Sequence, residues 1–331
     1  MKIAIVSDAW HPQPNGVVRV LSTLERHLKE MGHQVGVLSP DHFRTIPCPS
    51  YPEIPLAVLP GRGTARWLKD FAPDAIHIAT EGPLGWAARA WCRRHGRRFT
   101  TAYHTKFPQY VSARTKLPLG VPYAVVRAFH APSAGVLVPT ATVVNELTQW
   151  GFTNLKQWSH GVDTQVFHPR PKTAFADLPR PVFLYVGRVT VDKNLPAFLD
   201  LKLPGSKVVV GSGPQRDELI RRYPDAKFII ANGDQELGTY FASADAFVFP
   251  SRTDTFGLVM LEALASGVPV AAFPVPGPLD VIGQSRAGVL SEDLAAAALA
   301  ALDIAPQECV SHAAQFSWEA VTRQFVDNLA I

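Results

Sequence analysis

Two acids, Asp254 and Glu262, stand eight positions apart in the run Phe249-Pro250-Ser251-Arg252-Thr253-Asp254-Thr255-Phe256-Gly257-Leu258-Val259-Met260-Leu261-Glu262. The first acid follows a strand-like apolar stretch, Gly257 marks a turn, and the second acid falls on a helical pattern. Backbone N–H groups at the start of that helix, around Phe256 to Leu258, have no intrahelical partner. They lie at the positive end of the helix dipole and suit a diphosphate. Glu262 can then accept from both hydroxyls of a ribose, and Asp254 from hydroxyls of a sugar. A lone acid in such a place is usually a helix-terminal or solvated group; here the continuous string carries the argument.

A second constellation is Tyr185-Val186-Gly187-Arg188-Val189-Thr190-Val191-Asp192-Lys193-Asn194-Leu195. A departing nucleotide diphosphate gains negative charge, which Arg188 and Lys193 can offset without a metal. The chain has no Asp-x-Asp triplet, so no metal and no cofactor is expected. In Ala102-Tyr103-His104-Thr105-Lys106, His104 can donate to a sugar hydroxyl from either tautomer. His160 reads as structural.

These residues need elements that hold them. Apolar runs of strand length alternate with helical patterns, as in parallel sheets with crossover helices. The first half gives strands at Lys2 to Val6, Gln34 to Leu38, Ala75 to Ile78, Phe99 to Tyr103 and Gly135 to Val138. The pattern restarts with Val182 to Val186, Lys207 to Val210, Lys227 to Ile230, Ala246 to Phe249 and Val268 to Ala271. A polar, Pro-bearing stretch from Phe167 to Pro181 reads as the linker. The expected division is 1–166, 167–312 and a terminal helix in 313–331. Open α/β sheets bind ligands beyond the carboxyl ends of their strands, so two doubly wound units are expected to face each other across a cleft, with the functional residues just after strands.

The stretch from Asp254 to Glu262 resembles the acid-seven-residues-acid motif of the family 4 retaining glycosyltransferases, with Asp254 where that family usually has Glu. The segment from Gly187 to Lys193 resembles the family's Gly-Arg…Lys-Gly segment. Asp8-Ala9-Trp10-His11-Pro12-Gln13-Pro14-Asn15-Gly16-Val17-Val18-Arg19 resembles its glycine-rich first loop, with Asn15 in place of the first glycine. Asn tolerates a left-handed turn better than most residues. The resemblance covers nearly the whole chain and implies a GT-B fold whose terminal helix crosses back to the first domain. It implies retaining transfer from a nucleotide-sugar donor to a lipid or glycan acceptor. Catalytic roles fall to His104, Asp254, Arg188 and Lys193. The donor side comprises Gly16, Arg188, Lys193, Ile230, Asp254, Thr255, Phe256, Gly257, Leu258 and Glu262, and the acceptor side Asn15, Arg19, Glu81, Tyr103 and Lys106. Ile230 stands where many relatives have glycine beside the base, so UDP and GDP both remain admissible. Gly211-Ser212-Gly213-Pro214 resembles a loop near the nucleotide, although such turns are commonplace.

Composition frames these readings. The chain has 331 residues, 47% hydrophobic and 18% charged, which fits two ordinary domains. Its three cysteines show no metal-ligand or disulfide spacing, and no leader or membrane span is evident, so a cytoplasmic location is expected. Net charge is +4, yet residues 1–165 carry 18 Lys+Arg against 10 Asp+Glu. With Trp86, Trp91, Phe107, Tyr110, Lys116, Tyr123 and Arg127, that basic half makes peripheral contact with an anionic membrane a reading to test. For the run Arg93-Arg94-His95-Gly96-Arg97-Arg98 itself, complementing a helix C-terminus is the simpler account. Nucleic acid is not an expected partner. A nicotinamide dehydrogenase would share the architecture but needs a G-x-G-x-x-G after the first strand, which is lacking. A binding module without turnover would not need all four of Asp254, Glu262, Arg188 and Lys193.

Overall fold

The computed structural model describes residues 1–13, 15–48 and 51–331, so Pro14 of the first loop lies outside the description. The chain divides into two units: Met1–Ser159 with Trp318–Ile331, and His160–Ser317.

The first unit runs β1 (Lys2–Val6), α1 (Gly16–Glu30), β2 (Gln34–Leu38), β3 (Thr45–Cys48), β4 (Tyr51–Ala57), α2 (Gly61–Phe71), β5 (Ala75–Ile78), α3 (Pro83–Arg94), β6 (Thr100–Ala102), α4 (Phe107–Thr115), α5 (Gly120–His130), β7 (Gly135–Val138), α6 (Ala141–Gln149) and β8 (Leu155–Gln157). Its parallel sheet has the order β2-β1-β5-β6-β7-β8. Ile3 to Val6 are fully buried because helices cover both faces of the sheet. On α1, Val18, Leu21, Leu24 and Leu28 form the stripe that packs inward. The β3–β4 pair is a separate antiparallel ribbon. Pro47, Pro52 and Pro55 hide it in the sequence, since proline is tolerated only where no ladder bond is needed.

The second unit has β9 (Val182–Val186), β10 (Ser206–Val210), β11 (Lys227–Ile229), β12 (Ala246–Phe249), β13 (Val270–Ala272) and β14 (Gly288–Leu290), in the parallel order β11-β10-β9-β12-β13-β14. The two edge strands β8 and β14, three residues each, have too little apolar periodicity to be read in advance.

The division falls at Ser159/His160 and Ser317/Trp318, not at 166/167 and 312/313. Val162 N–H donates to Phe316 O at 3.0 Å, and both residues belong to the second unit. Phe175 is fully buried and stacks on Tyr240, and Arg170 donates to Val166 O and Gln235 O. The stretch from Phe167 to Pro181 is therefore packed structure and not a linker. The terminal helix Trp318–Asn328 belongs to the first unit, as expected. Its Trp318 stacks on His27, and its Phe325 meets His77 at 4.9 Å and Trp158 at 5.3 Å. The Trp158 indole donates to Val321 O at 3.1 Å. Among the described residues no single helix is long and apolar enough to cross a membrane.

Candidate functional site

In the second unit the strand order reverses between β9 and β12, which places the loops after these neighbouring strands side by side. After β9, Gly187 leads to Arg188, whose carbonyl accepts from the Tyr185 hydroxyl at 2.8 Å. The short turn Val191–Lys193 ends at Asn194, with φ +53°, a left-handed conformation that asparagine accepts readily. Asn194 then donates to Pro250 O at 3.1 Å, pinning this turn to the loop after β12.

The result joins residues 61 positions apart: Lys193 Nζ donates to both carboxylate oxygens of Asp254, each at 2.7 Å. The two side chains are 15% and 20% exposed, so water screens the pair only in part. Burial alone would raise the Asp254 carboxyl; Lys193, Ser251 and Arg188 outweigh it and hold the group below its usual range. Arg188 stands by with its guanidinium 3.7 Å from Asp192 and more than a third exposed.

Gly257, with φ +87°, starts the helix Leu258–Ala265, and no side chain caps that helix end. That φ favours glycine, and a Cβ there would also crowd the Phe249 ring at 3.2 Å. Glu262 is 5% exposed on this helix. Thr255 and Leu258 are half-buried at its start. Phe256 is different: its ring is buried against His160 at 4.9 Å and Phe316, so only its backbone can serve a ligand. His160, read as structural, is 5% exposed. Ile230 follows β11 directly and is half exposed.

The Gly211-Ser212-Gly213 loop, read as a weak signal, is a backbone clamp on the Arg188 segment. Val189 N–H donates to Ser212 O at 2.8 Å, and a Cβ on Gly211 would lie 1.9 Å from Gly187 O.

The first unit places its residues differently. Asn15 is not left-handed: with φ −137° it is extended and caps α1, accepting from Val18 N–H at 3.0 Å. Gly16 is the exposed first residue of α1, and Arg19 is half-buried on the same helix. Asp8 receives Leu84 N–H at 2.9 Å, Gly85 N–H at 3.3 Å and the Thr80 hydroxyl at 2.9 Å, so a carboxylate of the chain itself occupies the start of α3. Burial still lifts the Asp8 carboxyl above its usual range. Gly82 is needed because a Cβ would strike the Asp8 carboxylate at 2.3 Å.

His104, after β6, packs edge-on to Trp158 at 6.0 Å, and burial lowers its pKa to about 4 despite Glu81. It is neutral at ordinary pH. Glu81 shares a hydrogen bond with the fully buried His130 at 3.2 Å. Two expectations fail here. Tyr103, expected on the acceptor side, is 1% exposed in the core with Tyr123 and Val126. Lys106 is 8% exposed and paired with Glu146 at 2.8 Å, a partner with no local signal because Glu146 lies on an ordinary amphipathic helix. Tyr123 is likewise core and not an interfacial aromatic.

The structure thus gathers Arg188, Lys193 and Asp254 beside the helix that carries Glu262, and separately brings Glu81 near His104 at the strand ends of the first sheet, while Lys106 turns to Glu146. Sequence reasoning missed Glu146, His130 and the capping role of Asp8.

A family model described as Glycosyltransferase Family 4 matches residues 14–166, and one described as Glycosyl transferases group 1 matches residues 180–305. The chain is 31% identical over 293 residues to a sulfoquinovosyl transferase of Arabidopsis thaliana, covering 80% of this chain and 57% of that protein, so it spans little more than half of the plant relative. It is 30% identical over 321 residues to a GDP-mannose-dependent alpha-mannosyltransferase of Mycobacterium tuberculosis, covering 88% of this chain and 83% of the relative. The solved sucrose-phosphate synthase of Thermosynechococcus elongatus superposes with a TM-score of 0.79 at 20% identity, covering 98% of this chain and 97% of that one. That likeness shows the fold, two parallel-sheet Rossmann-like units of the GT-B kind.

Proposed function

Because this chain belongs to the family 4 glycosyltransferases, we infer that it moves a hexose-type sugar from a UDP- or GDP-sugar to a hydroxyl acceptor, with retention of anomeric configuration and without a metal. The carrying observation is the Lys193–Asp254 pair with Arg188 beside an uncapped helix start. Cations and free amides converge there as a pyrophosphate needs. Glu262 holds the ribose and Asp254 positions the transferred sugar.

In the transfer step the bond from the anomeric carbon to the phosphate oxygen breaks and the bond to the acceptor oxygen forms on the same face. The acceptor proton passes to the departing phosphate. Arg188 and Lys193 offset the charge that accumulates on this leaving group, which is stabilisation specific to the transition state. His104, held neutral by burial, donates to a sugar hydroxyl and carries no charge into the step.

The name of the mycobacterial relative supports GDP-mannose as the first donor to test. A membrane lipid is the preferred acceptor. Phe107, Leu117, Val121 and Val125 are each 45% exposed or more on or between α4 and α5, with Arg114 and Lys116 exposed among them. This is the composition of an interfacial helix pair on a cytoplasmic membrane face. Sedimentation with anionic and neutral vesicles tests it: preference for the anionic set is expected, and equal partition or none removes the lipid reading.

The donor reading is tested by thermal melting with a panel of UDP- and GDP-sugars. A donor at about 100 times its dissociation constant adds about 2.7 kcal/mol, a shift of a few degrees. If no nucleotide-sugar raises the melting temperature, the assignment fails; a product of inverted configuration removes the retaining step.

A further inference from the structure

Glu146 lies on α6, outside every motif that identifies the site, yet three side chains converge on it. Lys106 Nζ reaches Oε2 at 2.8 Å, while Gln109 Nε2 at 2.6 Å and the Tyr123 hydroxyl at 2.7 Å reach Oε1. Lys106 and Gln109 come from the segment that follows His104: Lys106 precedes α4 directly and Gln109 is in its first turn. Tyr123 comes from α5 and is braced by Trp150, which stacks on its ring at 4.1 Å. Burial and the neighbouring carboxylate keep the Tyr123 phenol neutral and therefore a donor.

Gln109 shows how strongly the carboxylate dictates this arrangement. Its amide donates both to Glu146 and to the Tyr123 oxygen, at 2.8 Å, while its carbonyl oxygen is buried with no hydrogen-bond partner. A buried amide leaves an acceptor unmatched only where the opposite orientation would be worse. Lys106, only 8% exposed, likewise has its charge committed to a partner within its own unit. From that position Lys106 anchors the start of α4.

We propose that Glu146 is a positioning residue for sugar transfer: through Lys106 and Gln109 it ties the start of α4 to α5 and α6, and so fixes the acceptor-side segment that follows His104. The proposal rests on the glycosyltransferase reading above. Its physical basis is that small misplacements of a positioned group cost large factors in rate, and that charge-assisted bonds to one carboxylate are short and directional.

The test uses the full chain carrying Glu146→Gln or Glu146→Asp. For Glu146→Gln, kcat falls about tenfold and the acceptor KM rises, while the donor KM holds. Glu146→Asp, which keeps the charge, recovers part of the loss. Amide hydrogen exchange quickens over residues 103–115. Unchanged exchange there, or a rise in donor KM equal to that for the acceptor, overturns the proposal. Should Glu146→Gln fail to fold, Lys106→Met and Gln109→Leu each remove one of the carboxylate's three bonds, Gln109→Leu also the bond to the Tyr123 oxygen; the same split of KM values is expected at smaller size, and its absence overturns the proposal. Exchange reads the tether without any donor. A wild-type chain that transfers no sugar would therefore sink the function proposed above, while the exchange result still decides on Glu146.

Discussion

The two sheets reverse their strand order in the same way, between β1 and β5 in one and between β9 and β12 in the other, yet the helix starts near those points are finished differently. In the first unit Asp8 supplies the anion for the amides of α3. In the second, the helix Leu258–Ala265 has glycine where a capping side chain would stand, and Arg188 and Lys193 bring positive charge to the neighbouring loops. A parallel sheet offers the same polar geometry at each reversal. What differs is whether a side chain of the unit satisfies it: Asp8 does so in the first, and no side chain caps the helix start in the second.

The largest test of this contrast removes the cations. Arg188→Ala should lower sugar transfer about 10²–10³-fold with almost no change in melting temperature, since its guanidinium is well exposed. Lys193→Met should match that loss and also destabilise the fold by about 2 kcal/mol, because Asp254 keeps its burial and loses its cation. Equal activity in both variants and wild type would erase the distinction between the two helix starts.

Next in size is acid sensitivity of the first unit. Burial lowers His77 to about 3 and His104 to about 4, so between those values and the ordinary 6.5 the unfolded chain binds more protons than the native one. Stability conferred by the neutral rings is complete above 6.5 and drains as pH falls, at about 1.4 kcal/mol per pH unit for each histidine. Hydrogen exchange followed from pH 7 to 4 should show the first sheet opening progressively, and His77→Gln should flatten the trend. A first sheet indifferent to pH over that range contradicts the account.

The smallest effect belongs to Asp8→Ala. Loss of the side-chain cap should cost about 1–2 kcal/mol of stability in denaturant titration, without altering the affinity of the second unit for a nucleotide-sugar. A weakened donor affinity would mean that Asp8 serves the ligand as well as α3.

Both sheets were legible because their central strands are unbroken apolar runs, such as Val182 to Val186, that cannot be placed elsewhere. Arg188, Lys193 and Asp254 were legible as parts of local strings, and the adjacency of β9 and β12 turned those strings into one cluster. The failures share a cause. Tyr103 and Lys106 sit in a segment that resembles a functional one, but whether such side chains face in or out depends on partners contributed by α5 and α6, more than ten residues away. Asn15 was read by what asparagine tolerates, when its hydrogen-bonding use as a cap decided its conformation. The stretch from Phe167 to Pro181 looked like a linker because its burial rests on scattered contacts, Phe175 on Tyr240 and Arg170 on backbone carbonyls, which have no periodicity.

The order in which these residues leave the ribosome adds a further constraint. His77 and Trp158 are synthesised early, but Phe325, the ring they pack against, emerges only after all of His160–Ser317. The nascent first sheet must wait with an apolar flank uncovered while the second unit is made. Closure of the first unit therefore waits on a helix made after the whole second unit, and a chain released before Trp318 leaves that flank bare.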